Sequence, residues 1–249
     1  HGTNRRQRQM CIRDRDGGDE KLKITVIQPL TTNMERIINM TNEAESDLVI
    51  WPEAVTKFDE NVSKLVPTKV VIGGFFRQDN TNVYTSAINL KTGHYYDKRN
   101  LVPFGEFQPF GSLLKSINNF FNIPNSSLSR GSFYQTKADW SALICWELVF
   151  NETFTRRVRG TKYIVHMSND KWYGSSMPAQ HLKHAKARAV ESNKWVVRAT
   201  LDGISQIISP RSNESSAILE RGEMGSITHE ITLNSQDTFY IKHGDTPLL

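Results

Sequence analysis

Short, uninterrupted apolar runs recur along this chain with amphipathic segments between them, and that alternation restricts the fold more than any other feature. Leu48-Val49-Ile50 and Trp140-Ser141-Ala142-Leu143-Ile144 are too short and continuous for surface helices and read as buried strands. The pattern predicts strands over Leu22 to Gln28, Asp47 to Trp51, Lys69 to Phe76, Val83 to Leu90 and His94 to Lys98. Further strands follow at Trp140 to Cys145, Lys162 to Met167, Trp195 to Ala199 and Ile204 to Ile208. Helices are expected over Asn33 to Ser46, opened by Asn33 with Glu35 in the first turn, and over Val149 to Arg159 and Ala179 to Ser192. Strands alternating with helices imply an α/β fold in which helices cover sheets.

In such folds chemistry gathers at the carboxyl ends of strands. Cys145 stands there, just past Ile144 and followed by Trp146-Glu147. A lone cysteine is more often a buried structural thiol. Two other strand ends change that balance. Glu53 follows Leu48-Val49-Ile50-Trp51-Pro52, and Lys98 closes the strand that leads into Arg99-Asn100-Leu101-Val102-Pro103-Phe104-Gly105-Glu106-Phe107. A thiol needs a base to become an attacking thiolate, and a partly desolvated Glu53 suits that role. A lysine beside them can hold the thiolate and, with the Trp146 N–H, stabilise a tetrahedral oxyanion.

These residues resemble the triad of the nitrilase, or carbon-nitrogen hydrolase, superfamily. Longer strings narrow the resemblance to the bacterial apolipoprotein N-acyltransferases: Asn100 to Phe107, Ser168-Asn169-Asp170-Lys171-Trp172-Tyr173-Gly174, Pro178-Ala179-Gln180-His181-Leu182, Arg198-Ala199-Thr200 and Gly203-Ile204-Ser205. The resemblance covers roughly Lys21 to Asp245 and implies a nitrilase-like four-layer αββα sandwich. It assigns Glu53 as general base, Lys98 as oxyanion-stabilising lysine and Cys145 as the acylated nucleophile. Glu106 and Glu147 become supporting carboxylates, with Trp146 beside the nucleophile. Phe104, Phe107, Asn169, Trp172 and Tyr173 are candidates for substrate contact. The chain departs from the pattern at Trp146, where the acyltransferases carry a tyrosine, and at Thr200-Leu201-Asp202-Gly203 and Ser209-Pro210-Arg211-Ser212-Asn213.

The activity so implied is transfer of a phospholipid acyl chain, through a cysteine thioester, to the N-terminal amine of a diacylglyceryl-cysteine lipoprotein. The expected partners are the phospholipid donor, the lipoprotein acceptor and a membrane surface, without a metal or other cofactor. The expected location is the bacterial inner membrane, with this domain on the periplasmic side. A soluble nitrilase or amidase would use the same three residues on a C–N bond. An inert lipid- or lipoprotein-binding module would keep the fold alone.

Composition argues against other classes. The net charge of +5 is concentrated at the start, where five arginines against Asp14 and Asp16 give +3 and leave only +2 for the rest. No basic stripe with interleaved aromatics remains, so nucleic acid is not an expected partner. Two cysteines cannot make a disulfide scaffold, and Cys11 lies in a polar stretch remote from Cys145. Residues 1–18 lack apolar periodicity and the layout of a cleavable signal, and resemble a translated adapter or cloning scar. Residues 21–245 form the expected catalytic domain. No run reaches the ~18–20 apolar residues of a membrane span. The family carries this domain between transmembrane helices, so the expected reading is a fragment.

Phe110, Leu113, Leu114, Ile117, Phe120 and Phe121 recur at helical spacing opposite polar residues. They suit either a core helix or an interfacial helix that approaches lipid beside the nucleophile. Asn122 to Gly131 would form a mobile arm attached to it. His181, His184, Arg188 and Glu191 share a helix face without the companions of a metal motif and read as a polar face. Asn169 and Asp170 either border the pocket or make a turn, and Trp172, Tyr173 and Met177 are either core or a flap.

Overall fold

The computed structural model of the chain describes residues 20–103, 105–107, 128–211 and 214–245. The Phe110 to Phe121 segment, most of the arm after it, Phe104 and the first 19 residues lie outside the described residues.

Strands β1 (Lys21–Gln28), β2 (Leu48–Ile50), β3 (Thr56–Lys57), β4 (Val70–Asp79), β5 (Asn82–Asn89) and β6 (Tyr95–Asp97) belong to one sheet. A second holds β7 (Trp140–Ile144), β8 (Tyr163–Ser168), β9 (Val196–Thr200) and β10 (Gln206–Ile208). The last strand, β11 (Gly225–Thr232), returns to the first sheet antiparallel to β1, with Lys21 opposite Thr232. The sheets are seven-stranded, in the order β11-β1-β2-β4-β5-β6 with β3 beside β4, and four-stranded, in the order β10-β9-β8-β7. Helices α1 (Met34–Asn42), α2 (Asn151–Val158), α3 (Met177–Ser192) and α4 (Phe239–His243) complete the fold.

Three apolar layers explain the stacking. Ile24, Val26, Ile50 and Ile72 of the first sheet meet Ala142, Ile144, Val165 and Met167 of the second. On the first sheet's outer face α1 buries Ile37 among Ile27, Val49, Trp51 and Phe75. On the second sheet's outer face α2 and α3 lay Phe154, Val158, Leu182, Ala185 and Ala189 against Leu143, Ile164 and Val196. Helix, sheet, sheet and helix therefore follow one another, the αββα order of a nitrilase-like sandwich. Each large apolar side chain so buried contributes about 1.5–3 kcal/mol relative to exposure, which makes a stiff platform for the strand ends.

Local chemistry sets the boundaries. Asn33 caps α1 by accepting the Arg36 N–H, and the helix stops at Asn42, short of the expected Ser46. The helix expected from Val149 starts later, because Cys145–Val149 is wound into a tight 3₁₀ turn whose Glu147 carboxylate accepts the Ile144 N–H. Strand β11 escaped the sequence reading. It lies on the sheet's edge and buries only Ile227 and Ile231, so its apolar signal is thin.

Candidate active site

The carboxyl ends of β2, β6, β7 and β8 converge on one end of the sandwich. Beyond β2 the chain turns through Ala54, whose φ is +53°, and brings Glu53 inward. Gly74 on β4 permits that turn. A Cβ there would lie 2.5 Å from the Pro52 carbonyl oxygen and 2.6 Å from the Glu53 Cα. Beyond β6 the Lys98 backbone is held from both sides, its N–H donating to Thr85 and its carbonyl accepting from Gly131. Asp97 fixes the same strand through paired bonds from Arg77 and a 2.6 Å bond from Ser86.

Glu53, Lys98 and Cys145 are all buried, at 5%, 0% and 4% exposure, which is unusual for two charged side chains without mutual compensation. They have it. Lys98 Nζ lies 3.0 Å from Glu53 Oε1 and 2.6 Å from Glu106 Oε1. The second oxygen of Glu53 accepts the Asn169 N–H at 3.0 Å, and that of Glu106 accepts the Val102 N–H at 2.9 Å. One ammonium thus joins two carboxylates whose remaining oxygens are tied to backbone. Cys145 adopts φ +55°, a left-handed conformation that costs a non-glycine residue about 1–2 kcal/mol. Its Sγ lies 3.6 Å from the Tyr173 hydroxyl.

Burial dominates the electrostatics. It raises the Glu53 carboxyl above its usual range, Lys98 pulls it partly back, and Glu106 pushes it up again. Burial also works against the Lys98 charge, but Glu53, the Cys145 sulfur and Glu106 outweigh it and keep the ammonium well above its ordinary value. The Cys145 thiol is pushed up to about 12, by burial first and then by the Glu53 charge, against the opposing pull of Lys98. The pull of Lys98 on the thiol is thus outweighed by burial and the Glu53 charge. A thiol so raised can act as a nucleophile only if its proton passes to a base as it attacks.

A pH profile tests this. Alkylation of Cys145 by iodoacetamide should climb roughly tenfold per pH unit between about pH 7 and 10, because the thiolate fraction grows in that proportion far below the thiol pKa. Lys98→Met removes the charge that lowers the thiol, so alkylation at each pH should slow. Superimposable profiles for the two proteins would show that Lys98 does not act on Cys145.

The remaining candidates divide. Glu106 reaches the cluster through Lys98. Glu147 makes its hydrogen bonds elsewhere, although the Lys98 charge still acts on it. Its Oε1 accepts the Tyr96 hydroxyl and the Arg99 and Asn100 N–H groups, and its Oε2 accepts the Ile144 N–H. It ties the loop after Lys98 to the turn that carries Cys145, although burial raises its carboxyl above the usual range. Trp146 reinforces that tie, its indole N–H donating to the Asn100 carbonyl at 3.0 Å. Asn169 borders the site through its N–H, and Tyr173 through its hydroxyl. Trp172 is 85% exposed and stands clear of the cluster. Phe107 is half-buried with its ring 4.6 Å from the Arg130 guanidinium.

Further residues complete the surroundings. Gln28, at the end of β1, accepts the hydroxyls of Thr200 and Ser205 and so joins the two sheets at the site's end. His181 and Asp170 pair beneath the site at 2.9 Å, so this histidine faces inward rather than along a polar helix face. Among the described residues no cluster of His, Cys, Asp and Glu is arranged to hold a metal ion. Gln28 carried no local signal. Its partners lie more than 170 positions away.

Comparisons with known proteins agree with this architecture. The carbon-nitrogen hydrolase family model matches residues 68–239. The apolipoprotein N-acyltransferase of Shewanella oneidensis is 33% identical over 240 residues, covering 82% of this chain and 46% of that protein. Its Vibrio cholerae counterpart is 31% identical, with the same shares covered, and that of Vibrio parahaemolyticus is 30% identical over 92% of this chain and 51% of its own length. The chain thus spans about half the length of these relatives. A solved CN-hydrolase superfamily protein from Xanthomonas campestris, with an arsenic adduct in its active site, superposes with a TM-score of 0.62 at 17% identity, covering 86% of this chain and 91% of that one. With the family model matching well over half its residues and the sandwich fold shared, the chain belongs to the carbon-nitrogen hydrolase family.

Proposed function

We propose that this chain is the catalytic part of an N-acyltransferase that passes a phospholipid acyl chain, by way of a Cys145 thioester, to the N-terminal amine of a diacylglyceryl-cysteine lipoprotein. The observation that carries the reading is the buried Glu53–Lys98 ion pair electrostatically coupled to the Cys145 thiol. Its likeness to named N-acyltransferases supports the choice of acceptor.

In the first half-reaction the Cys145 sulfur attacks the ester carbonyl carbon while Glu53 takes the thiol proton. The raised carboxyl suits a base that must accept and then return a proton. The oxyanion is stabilised by the Lys98 ammonium and the Trp146 N–H. Collapse breaks the ester C–O bond, and the lysophospholipid alkoxide leaves with the proton from Glu53. In the second half the acceptor amine attacks the thioester carbonyl and yields its proton to Glu53. The C–S bond then breaks and the thiol is re-formed. Two half-reactions through one covalent intermediate give ping-pong kinetics.

The reading places the chemistry at a membrane surface, on the periplasmic side of a bacterial inner membrane. No described helix is long and apolar enough to cross a membrane. The exposed Trp172 indole beside Tyr173 suits the boundary between headgroups and hydrocarbon.

Incubation with a phospholipid donor should add one acyl mass to the peptide that contains Cys145, and Cys145→Ala should remove it. An adduct at Cys11 instead, or none on any cysteine while acyl transfer proceeds, would overturn the assignment. The family itself favours one rival, a hydrolase that lets water complete turnover. Rapid hydrolysis of small amides without transfer to an amine would decide for it.

A further inference from the structure

The carbonyl oxygen of Cys145 is not left to solvent. His166 Nε2, on the neighbouring strand β8, lies 2.9 Å from it. The other ring nitrogen, Nδ1, lies 2.7 Å from Arg198 Nη1. A guanidinium can only donate, so Nδ1 accepts and the single ring proton resides on Nε2, where it donates to the Cys145 carbonyl. Burial, and then the charge of Arg198, holds the imidazole well below its usual pKa and thus neutral. Arg198 is itself fixed, donating to the Ile204 carbonyl at 2.8 Å and to Asp170 Oδ2 at 2.6 Å. His166 and Arg198 are direct register partners on β8 and β9, and both are wholly buried.

A planar trans peptide points its C=O and N–H in opposite directions. The Cys145–Trp146 peptide is trans. His166 shares a face of β8 with Ile164, which packs beneath α2 and α3. A carbonyl held toward that face turns the Trp146 N–H the other way, toward the space between the sheets where Cys145 packs. Resting on the reading of Cys145 as nucleophile, we propose that His166, locked in one tautomer by Arg198, is a positioning residue that aims the Trp146 N–H at the oxyanion formed on the attacked acyl carbonyl.

Two reactions of the same sulfur separate this role from a general structural one. Displacement on iodoacetamide passes through no oxyanion, whereas acylation by p-nitrophenyl butyrate does. In folded His166→Leu, acylation should fall by about 10²–10³-fold, the loss typical of one oxyanion donor, while alkylation changes little. His166→Gln, whose side-chain N–H can reach the same carbonyl, should recover much of the acylation rate. Equal losses in both reactions, no loss in acylation, or a Gln variant no better than Leu would overturn the proposal. Nitrogen NMR of the wild-type chain with labelled histidine tests it without any substitution. His166 should stay neutral with its proton on Nε2 from about pH 5 to 8; a proton on Nδ1 would also overturn it. If the wild type forms no adduct on Cys145, the nucleophile reading falls and this inference falls with it. If the wild type acylates normally and the variants show no split, only the positioning role is lost.

Discussion

Glu53→Gln is expected to slow formation of the Cys145 thioester by about 10²–10⁴-fold, the range for loss of a general base. The size of the effect follows from the thiol, which burial and the Glu53 charge hold in its protonated form at neutral pH. Without a base, attack depends on the scarce thiolate. Removing the Glu53 charge also lets the thiol ionise somewhat more readily, so iodoacetamide alkylation should not fall in step with acylation. Lys98 keeps its 2.6 Å partner Glu106, and the substitution is nearly isosteric, so the site should stay assembled. Rapid-quench mass measurement of the acyl adduct, with alkylation as the control, checks the prediction. Acylation at the wild-type rate would remove Glu53 from the role of base.

Arg198→Leu is expected to destabilise the fold by about 3–5 kcal/mol, because it strands one member of a fully buried ion pair. The guanidinium joins Asp170, His166 and the Ile204 carbonyl, each of which loses a donor on substitution. Gly203 shows how tight that space is, since a Cβ there would lie 2.6 Å from Asp170 Oδ2. The pH dependence gives a second signature. Burial opposes the Asp170 charge, but His181 and Arg198 overcome it and hold the carboxyl well below the usual range. A depressed carboxyl contributes stability that is full above its unfolded value of about 3.9 and fades as pH falls toward the folded value. Leucine removes the Arg198 part of that depression and leaves the larger His181 hydrogen bond in place. The stability gap between the two proteins should therefore be widest near neutrality and narrow below about pH 4. Urea midpoints at several pH values measure it. A gap that did not change with pH would mean that lost packing, rather than the Asp170 charge, accounts for the destabilisation.

The range of an interaction along the chain decides whether the sequence displays it. Strand β7 and the residue that ends it were legible because a continuous apolar run and its boundary are local properties. The same holds for Glu53 after β2 and Lys98 after β6. Helix α1 was legible from Asn33, since a cap is written within one turn. Strand β11 was not, because an edge strand that buries two isoleucines carries little periodic signal until β1 pairs with it across some two hundred positions.

The sequence by itself determined which residue types stand at the strand ends, and with them the family and the candidate Glu53, Lys98 and Cys145 triad. Only the tertiary structure decided what surrounds them. It made Glu147 tie together two loops, and it set Lys98 between Glu53 and Glu106. It placed His166 against the Cys145 carbonyl with Arg198 behind it. Those assignments depend on strand register and on which face each side chain takes, and a shift of one position would reverse the face. Burial, which raises both the Cys145 thiol and the Glu53 carboxyl, likewise arises only when two sheets close over the site, so the candidate chemistry is local in its residues and global in its energetics.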